Sequence, residues 1–263
     1  MEISLAGRAA LITGASKGLG FAMAQRMAQS GADVALLARR PDVLADAVAQ
    51  IRAGARGKVL GVPCDVSKAD DIATAFATVT AALGKVDILV NNAGQSQAAP
   101  FQDITDEVWQ ADIDLKLFAA IRLIRHAMPG MLARRWGRII NVLNIGAKAP
   151  RAGGAPTAVT RAAGMALTKV LANEGAPHNV LVNAMLVGTI RSDQSVRRHA
   201  RLVAEGLNES YEDYVARLGR ALPLGRLGKA EEFAALACFL ASEQGGYING
   251  TAINVDGGAS PVV

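Results

Sequence analysis

The sequence AALITGASKGLG, residues 9–20, decides the fold of this chain. Its apolar first part predicts a buried strand, and Gly14, Gly18 and Gly20 follow in the spacing Gly-x-x-x-Gly-x-Gly where a helix begins. Glycines at such a turn let the backbone approach a pyrophosphate, and the N–H groups and dipole of the next helix stabilise its charge. The segment therefore predicts a nucleotide-binding strand-turn-helix unit.

The same alternation of a short apolar run and a helix-like stretch continues along the chain. Most of the runs are continuously apolar, as is typical of parallel strands covered by helices on both faces. No linker rich in Pro, Gly or Ser divides the chain. We therefore expect an α/β fold, one doubly wound Rossmann domain over residues 1–263 with a seven-stranded parallel sheet. The strands are expected over residues 9–12, 34–37, 59–62, 88–90, 138–142, 180–183 and 252–255, and the helices over residues 21–30, 41–53, 70–83, 106–135, 157–174 and 230–243.

Composition excludes several classes of protein. Hydrophobic types make up 51% of the 263 residues, which excludes a disordered chain. The net charge is +5, but the basic residues are scattered along the chain. An aromatic content of 4% leaves few platforms for stacking nucleic-acid bases. No apolar run is long enough to span a membrane, and no signal peptide is apparent. We expect a cytoplasmic protein that binds neither nucleic acid nor membrane.

The cysteines and histidines predict neither disulfides nor a metal. The two cysteines are too few for a disulfide framework, and the scattered histidines predict no metal site.

The end of the second strand indicates which dinucleotide is preferred. An NAD site of this kind has an acid there, which binds the ribose 2′-OH. This chain has Arg39 and Arg40 instead, and Lys17 lies in the glycine turn. A guanidinium recognises a phosphate strongly and directionally, so Arg39 is placed to bind a 2′-phosphate. The alternative is a pair of surface arginines before a helix. We expect NADP(H) rather than NAD(H).

Further motifs are spread over the whole chain. They are TGASKGLG at residues 13–20, CDV at 64–66, NNAG at 91–94, GRIIN at 137–141, VNA at 182–184, PLGR at 223–226 and NVDGG at 254–258. With them the chain resembles the short-chain dehydrogenase/reductase family, nearest to its 3-oxoacyl-carrier-protein reductase group. The resemblance implies a carbonyl or alcohol as small-molecule substrate, a homotetramer, and a substrate-covering segment at about residues 188–222.

The resemblance also implies individual cofactor contacts. Asp65 would bind the adenine amino group, with Val66 beside the ring. The backbone of Ile190 would meet the nicotinamide carboxamide. The complete expected cofactor set is Gly14, Ser16, Lys17, Gly18, Leu19, Gly20, Arg39, Arg40, Asp65, Val66, Asn92, Ala93, Gly94, Arg161, Gly188 and Ile190.

The catalytic positions depart from the family, which uses an Asn, a Ser and a Tyr-x-x-x-Lys pair. Matching the flanking motifs puts Asp114, Asn144, Thr157 and Arg161 at these four positions. A Thr hydroxyl is far less acidic than that of Tyr, whose reference pKa is about 10, so Thr157 is a poor general acid. Arg161 stays charged and retains donors for the ribose hydroxyls. We therefore expect ordinary carbonyl reduction to be very slow.

Three functions remain open. The first is an NADP(H)-linked oxidoreductase with an atypical site. The second is an inactive NADP(H)-binding sensor, and the third is a structural partner of an active paralogue. Lys148, Tyr211 and Tyr214 are alternative proton donors, but a packing or surface role is favoured for each.

Overall fold

Seven parallel strands form one sheet in the order β3-β2-β1-β4-β5-β6-β7. This is seen in a computed structural model that describes residues 3–263, without the side chains of residues 193 and 194. The strands are β1 (Ala9–Thr13), β2 (Asp33–Ala38), β3 (Val59–Pro63), β4 (Ile88–Asn91), β5 (Gly137–Asn144), β6 (Val180–Val187) and β7 (Ala252–Val255). The predicted doubly wound Rossmann fold and its seven strands are confirmed.

Nine α-helices connect or flank the strands among the described residues. They are α1 (Gly18–Gln29), α2 (Pro41–Arg52), α3 (Ala69–Leu83), α4 (Asp106–Ile113), α5 (Ala119–Arg134), α6 (Thr157–Gly175), α7 (Asp193–Ala204), α8 (Tyr211–Arg220) and α9 (Ala230–Leu240). The helix expected over residues 106–135 is divided by a π-helical turn, Asp114–Phe118. Helices α7 and α8 were not expected, because their sequences are too polar to resemble core-facing segments.

Both faces of the sheet are covered by helices. One apolar cluster joins the sheet to α1, α2 and α9, with Met23, Ile51 and Phe233 at its centre. The other joins the sheet to α3, α5 and α6, and includes Ile72 and Leu123. Burial on both faces explains why the strands are continuously apolar. No helix in the described part of the chain is long and apolar enough to cross a bilayer.

The chain reverses its direction of winding between β1 and β4. Ala10 of β1 lies beside Val34 of β2 on one side and Ile88 of β4 on the other, although two strands separate β1 from β4 in sequence. Helices leave to opposite faces at this point, so a crevice opens above the carboxyl ends of the two strands. The candidate site lies in this crevice.

Candidate active site

A hydrogen-bonded link between β1 and β4 forms the floor of the site. The hydroxyl of Thr13 accepts hydrogen bonds from the backbone N–H groups of Asn92 and Ala93, each at 2.9 Å. The Asn92 amide in turn donates to the carbonyl oxygen of Thr13 at 2.8 Å. These bonds hold the glycine turn and the Asn-Asn-Ala-Gly segment together, although they are nearly 80 residues apart in sequence.

The glycine turn packs too closely for a side chain at Gly20. A Cβ on Gly20 would lie 2.3 Å from the carbonyl oxygen of Gly14 and 2.6 Å from the amide nitrogen of Asn92. Gly14 itself has a φ of 62°, in the left-handed region that favours glycine. The first turn of α1 therefore starts directly above the floor, with its N–H groups facing the crevice.

Two adjoining clefts open above this floor. The first, of about 360 Å³, extends from the glycine turn to Asn144, Thr157 and Arg161. The second, of about 480 Å³, extends from the same turn to Arg39 and Val66. Together they form one elongated depression with cationic groups at the β2 end and hydrogen-bonding side chains at the β5 end. The shared residues are Gly14, Ser16, Arg40, Ala93, Gly94 and Gln95.

Most of the expected cofactor residues meet in these clefts. Those that line them are Gly14, Ser16, Lys17, Gly18, Leu19, Arg39, Arg40, Val66, Asn92, Ala93, Gly94 and Arg161. Four lie elsewhere. Gly20 lies beneath the turn, and the Asp65 carboxylate accepts from the Ser67 hydroxyl at 2.8 Å. Gly188 packs against Asp256, and Ile190 pairs with Gly228. The clefts also include Ser192, just before the unexpected helix α7, and Arg197 on that helix. Sequence reasoning did not assign either residue to the cofactor site, although both lie in the expected substrate-covering segment.

Thr157 is buried at the β5 end, at the start of α6. Its hydroxyl oxygen accepts a hydrogen bond from the backbone N–H of Gln97 at 3.0 Å. It accepts a second from the Lys116 amine at 2.8 Å. Thr157 and Asn144 also line an adjoining cavity of about 200 Å³. The buried side-chain oxygen of Asn144 has no hydrogen-bond partner among the described residues.

Lys116 is a buried charged residue at this end of the site that sequence reasoning missed. Its side chain is 1% exposed and forms an ion pair with Asp112, one turn earlier. The second carboxylate oxygen of Asp112 accepts from the Thr160 hydroxyl at 2.8 Å. Desolvation by burial lowers the pKa of Lys116 to about 8; Arg161 adds to this, while Asp112 opposes it. The available signal was the Asp and Lys spacing of four, which places both on one helix face.

Arg161 lies between the cleft and the end of β5. Its guanidinium donates to the carbonyl oxygen of Val142 at 2.9 Å. A Cβ on Gly94 would meet a guanidinium nitrogen, so a side chain there would displace Arg161 from this position. Burial lowers the pKa of Arg161 to about 10, against the attraction of Asp112, and the group remains charged at neutral pH. Arg161 therefore supplies a fixed positive charge beside Thr157.

Asp114, expected at the position of the family's Asn, does not line these clefts. Its carboxylate pairs with Arg122 at 3.3 Å and accepts from the Gln110 side chain at 2.9 Å. Residues two apart on a helix point to nearly opposite sides, and Lys116 is the one that reaches Thr157. Asp114 and Lys116 both belong to the π-helical turn Asp114–Phe118.

The alternative proton donors do not line these clefts. The Lys148 amine donates to the carbonyl oxygen of Ala252 at 2.6 Å, and the Tyr211 hydroxyl is 2.8 Å from the Ser195 hydroxyl. Tyr214 is 2% exposed and packs beside His199. Among the described residues, no three His, Cys, Asp or Glu side chains are grouped as metal ligands would be.

Comparison with known proteins places this geometry in a family. A family model described as enoyl-(acyl carrier protein) reductase matches residues 14–260. The chain is 33% identical to the 3-oxoacyl-[acyl-carrier-protein] reductase of Aquifex aeolicus, over 98% of this chain and 99% of that protein. It is 35% identical to human dehydrogenase/reductase SDR family member 4, over 97% of this chain and 88% of that protein.

A solved structure agrees with this relationship. L-Sorbose reductase from Gluconobacter frateurii, in complex with NADPH and L-sorbose, is 33% identical and superposes over the full length of both chains with a TM-score of 0.95. Family model, sequence relatives and structure all cover nearly the whole chain. The protein therefore belongs to the short-chain dehydrogenase/reductase family of oxidoreductases.

Proposed function

We propose that this protein is an NADP(H)-dependent oxidoreductase that interconverts a carbonyl and an alcohol in a site without the family's tyrosine. The observation that carries the proposal is the continuous depression above β1 and β4. Its β2 end has the cations Arg39 and Arg40, and its β5 end has the hydrogen-bonding groups of Asn144 and Thr157. The two ends suit the phosphates of a dinucleotide and the oxygen of a substrate, respectively.

The residues present fit NADPH on two further grounds. The glycine turn leaves backbone N–H groups open to a pyrophosphate, because Gly18 lines the first cleft and carries no side chain over it. The orphaned side-chain oxygen of Asn144 is a buried polar atom that a ligand would satisfy. NADPH, when bound, supplies a hydride, and the protein must hold the substrate and supply a proton. The NADPH complex of L-sorbose reductase, which shares this fold, supports the choice of cofactor.

A second candidate function is cofactor binding without turnover. It is favoured by the replacement of the family's Tyr and Lys by Thr157 and Arg161. A hydroxyl that is not acidic and a guanidinium that keeps its proton are poor substitutes for a tuned tyrosine. This reading predicts tight binding of NADPH with no consumption of it.

One experiment separates the two. Dissociation constants for NADPH and NADH are measured by cofactor fluorescence at one ionic strength. NADPH oxidation is then followed with acetoacetyl-coenzyme A, L-sorbose, 2,3-hexanedione and 4-nitrobenzaldehyde. We expect NADPH to bind more tightly than NADH and at least one carbonyl to be reduced. Tight NADPH binding with no turnover on this panel would favour the second candidate, and equal affinities would contradict the cofactor assignment.

A further inference from the structure

We propose that Lys116 is the proton source of the site and that the hydroxyl of Thr157 delivers its proton to the substrate oxygen. The inference rests on the proposed function, because it assigns the proton of that reaction. Thr157 would be the group that touches the substrate. Lys116 would act through it, from a buried position behind the cleft.

The hydrogen bonds of Thr157 direct its own hydrogen outward. The hydroxyl oxygen already accepts from the Gln97 backbone and from Lys116, both of which are donors. A hydroxyl has one hydrogen to donate and two lone pairs to accept with. Both lone pairs are engaged, and no acceptor for the hydrogen lies among the residues that the structure describes. The hydrogen is therefore available to an oxygen atom in the cleft that Thr157 lines.

The surroundings of Lys116 suit a group that gives up a proton. The charged groups that face it are Asp112 on α4 and Arg161 on α6, and the Thr160 hydroxyl completes the shell of Asp112. Burial disfavours the ammonium form and brings its pKa to about 8, within reach of neutral pH. Asp112 keeps the amine in place and stabilises enough of the charged form for it to carry the proton before reaction.

The proposed step balances in protons and electrons. As the carbonyl carbon takes the hydride, the O–H bond of Thr157 breaks and its hydrogen moves to the substrate oxygen. An N–H bond of Lys116 breaks at the same time and restores the Thr157 hydroxyl. The carbonyl has become an alcohol and Lys116 a neutral amine, which then takes a proton from water. Because the two transfers are coupled, Thr157 never has to exist as an alkoxide.

Arg161 does not compete for this role. Its guanidinium already donates to the Val142 carbonyl oxygen, and its pKa of about 10 keeps it protonated at neutral pH. It can hold a charge near the developing oxyanion, but it is a poorer proton donor than Lys116. The expectation from sequence, that Arg161 at the position of the family's lysine stays charged and binds the ribose hydroxyls, is compatible with this assignment.

Four variants test the proton path with the carbonyl panel above. Lys116→Met removes the amine that carries the proton. Lys116→Arg keeps a positive charge, but its guanidinium does not release a proton near neutral pH. Both should lower NADPH-dependent reduction by about 10²- to 10⁴-fold, the usual contribution of a positioned acid, with NADPH affinity retained. Thr157→Val should do the same, whereas Thr157→Ser should restore most of the rate because it restores the hydroxyl.

The pH profile and a cofactor-free measurement separate a proton source from a structural lysine. Wild-type reduction should fall as pH rises through about 8, and alcohol oxidation should rise over the same range. In the protein without cofactor, NMR of lysine labelled with ¹³C at Cε should show one amine titrating near 8, absent from Lys116→Met.

The outcomes are distinguishable. Full activity of Lys116→Met or Thr157→Val, or an amine that titrates like an ordinary lysine, would overturn the relay and leave the proposed oxidoreductase intact. Absence of turnover on the whole panel, in a wild-type protein that binds NADPH, would overturn both. If Lys116→Met does not fold, Lys116→Arg and the Thr157 pair still decide the question.

Discussion

Arg39 is the exposed residue on which the choice of cofactor depends most. It follows β2, where an NAD-binding chain of this fold has an acid, and it lines the second cleft. Arg39→Asp removes a charge-assisted hydrogen bond of about 1.5–3 kcal/mol to a 2′-phosphate, so the Kd for NADPH should rise about 10- to 100-fold. The Kd for NADH should not rise, because an acid at this position can bind the ribose 2′-OH. Cofactor fluorescence at fixed ionic strength measures both.

The matched control is Arg56→Asp. Arg56 is also an exposed arginine, but it precedes β3 and so lies at the opposite edge of the sheet from the clefts. The variant Arg56→Asp therefore makes the same change of charge far from the clefts. If Arg56→Asp weakens NADPH binding as much as Arg39→Asp does, net charge rather than a 2′-phosphate contact sets the preference.

Asn144 offers a test of function without loss of stability. Its side-chain oxygen has no partner among the described residues, so Asn144→Ala removes no hydrogen bond of that oxygen. Because an amide oxygen only accepts, we expect kcat/KM for alcohol oxidation to fall about 10-fold or more, as loss of a hydrogen bond of about 1.5 kcal/mol from the substrate hydroxyl would produce, with little change in Tm.

Asn141, on the same strand, provides the contrast. It accepts from Asn91 at 2.8 Å and donates to Thr168 at 2.9 Å, both deep in the protein. Asn141→Ala leaves those groups unsatisfied and should cost about 1–3 kcal/mol of unfolding free energy. A large loss of Tm in Asn144→Ala, similar to that of Asn141→Ala, would contradict an interaction with ligand.

At the scale of elements, the glycine turn depends on the contact between α1 and the floor. In Gly20→Ala the new Cβ would meet the Gly14 carbonyl at 2.3 Å, and backbone cannot rotate away as a side chain can. We expect a loss of about 3 kcal/mol in unfolding free energy, at the upper end of overpacking costs, together with weaker NADPH binding. Urea denaturation and fluorescence titration measure the two effects.

Gly18→Ala is the matched variant in the same turn. Gly18 has a φ of 57°, but a Cβ there would meet no atom within 4 Å. In Gly18→Ala the only cost is then the backbone strain of an alanine in the left-handed conformation, about 1–2 kcal/mol. Equal losses in Gly18→Ala and Gly20→Ala would show that conformation, rather than close packing, makes glycine necessary at this turn.

At the scale of the whole molecule, the burial of Lys116 should make stability depend on pH. The folded pKa is about 8 and the ordinary value is 10.5, so between these limits the unfolded chain binds more protons than the folded one. The contribution of Lys116 to stability therefore rises with pH across this window, by at most about 3 kcal/mol. Urea unfolding of wild type and Lys116→Met from pH 7 to pH 10 measures it. A difference between the two that is constant with pH would contradict the predicted titration.

The exposed face of α6 is the surface at which we expect the homotetramer implied by the family resemblance to pair. Val159 and Val170 are each 54% exposed, and their separation of eleven residues, three helical turns, puts them on one side of α6. We expect light scattering to give a mass near four times 27.3 kDa. The double variant Val159→Glu, Val170→Glu should lower that mass, because two charged side chains on α6 would prevent this face from packing against a second subunit. Val203→Glu, at an exposed position on α7, should not lower it. A wild-type monomer at micromolar concentration would refute the tetramer.

The sequence by itself determined the strands, the sheet class and most of the nucleotide cleft. These features depend on local causes. They are continuous apolar runs, and turns whose backbone conformation favours glycine. The cleft residues lie at strand ends, and parallel strands bring their carboxyl ends to one edge whatever the details of packing. Thus Gly14 and Arg39 could be assigned to one site from their positions along the chain, and Asn92 from the resemblance to the family.

Only the tertiary structure decided which side chains meet at the reaction end. Lys116 and Thr157 are 41 residues apart, and the low pKa of the amine is a consequence of desolvation, which no local pattern reveals. The same holds for Asp114, whose carboxylate pairs with Arg122 at 3.3 Å. A shift of two residues turns a side chain to the opposite side of a helix, so the identity of the group behind Thr157 depends on how α4, the π-helical turn and α6 pack together.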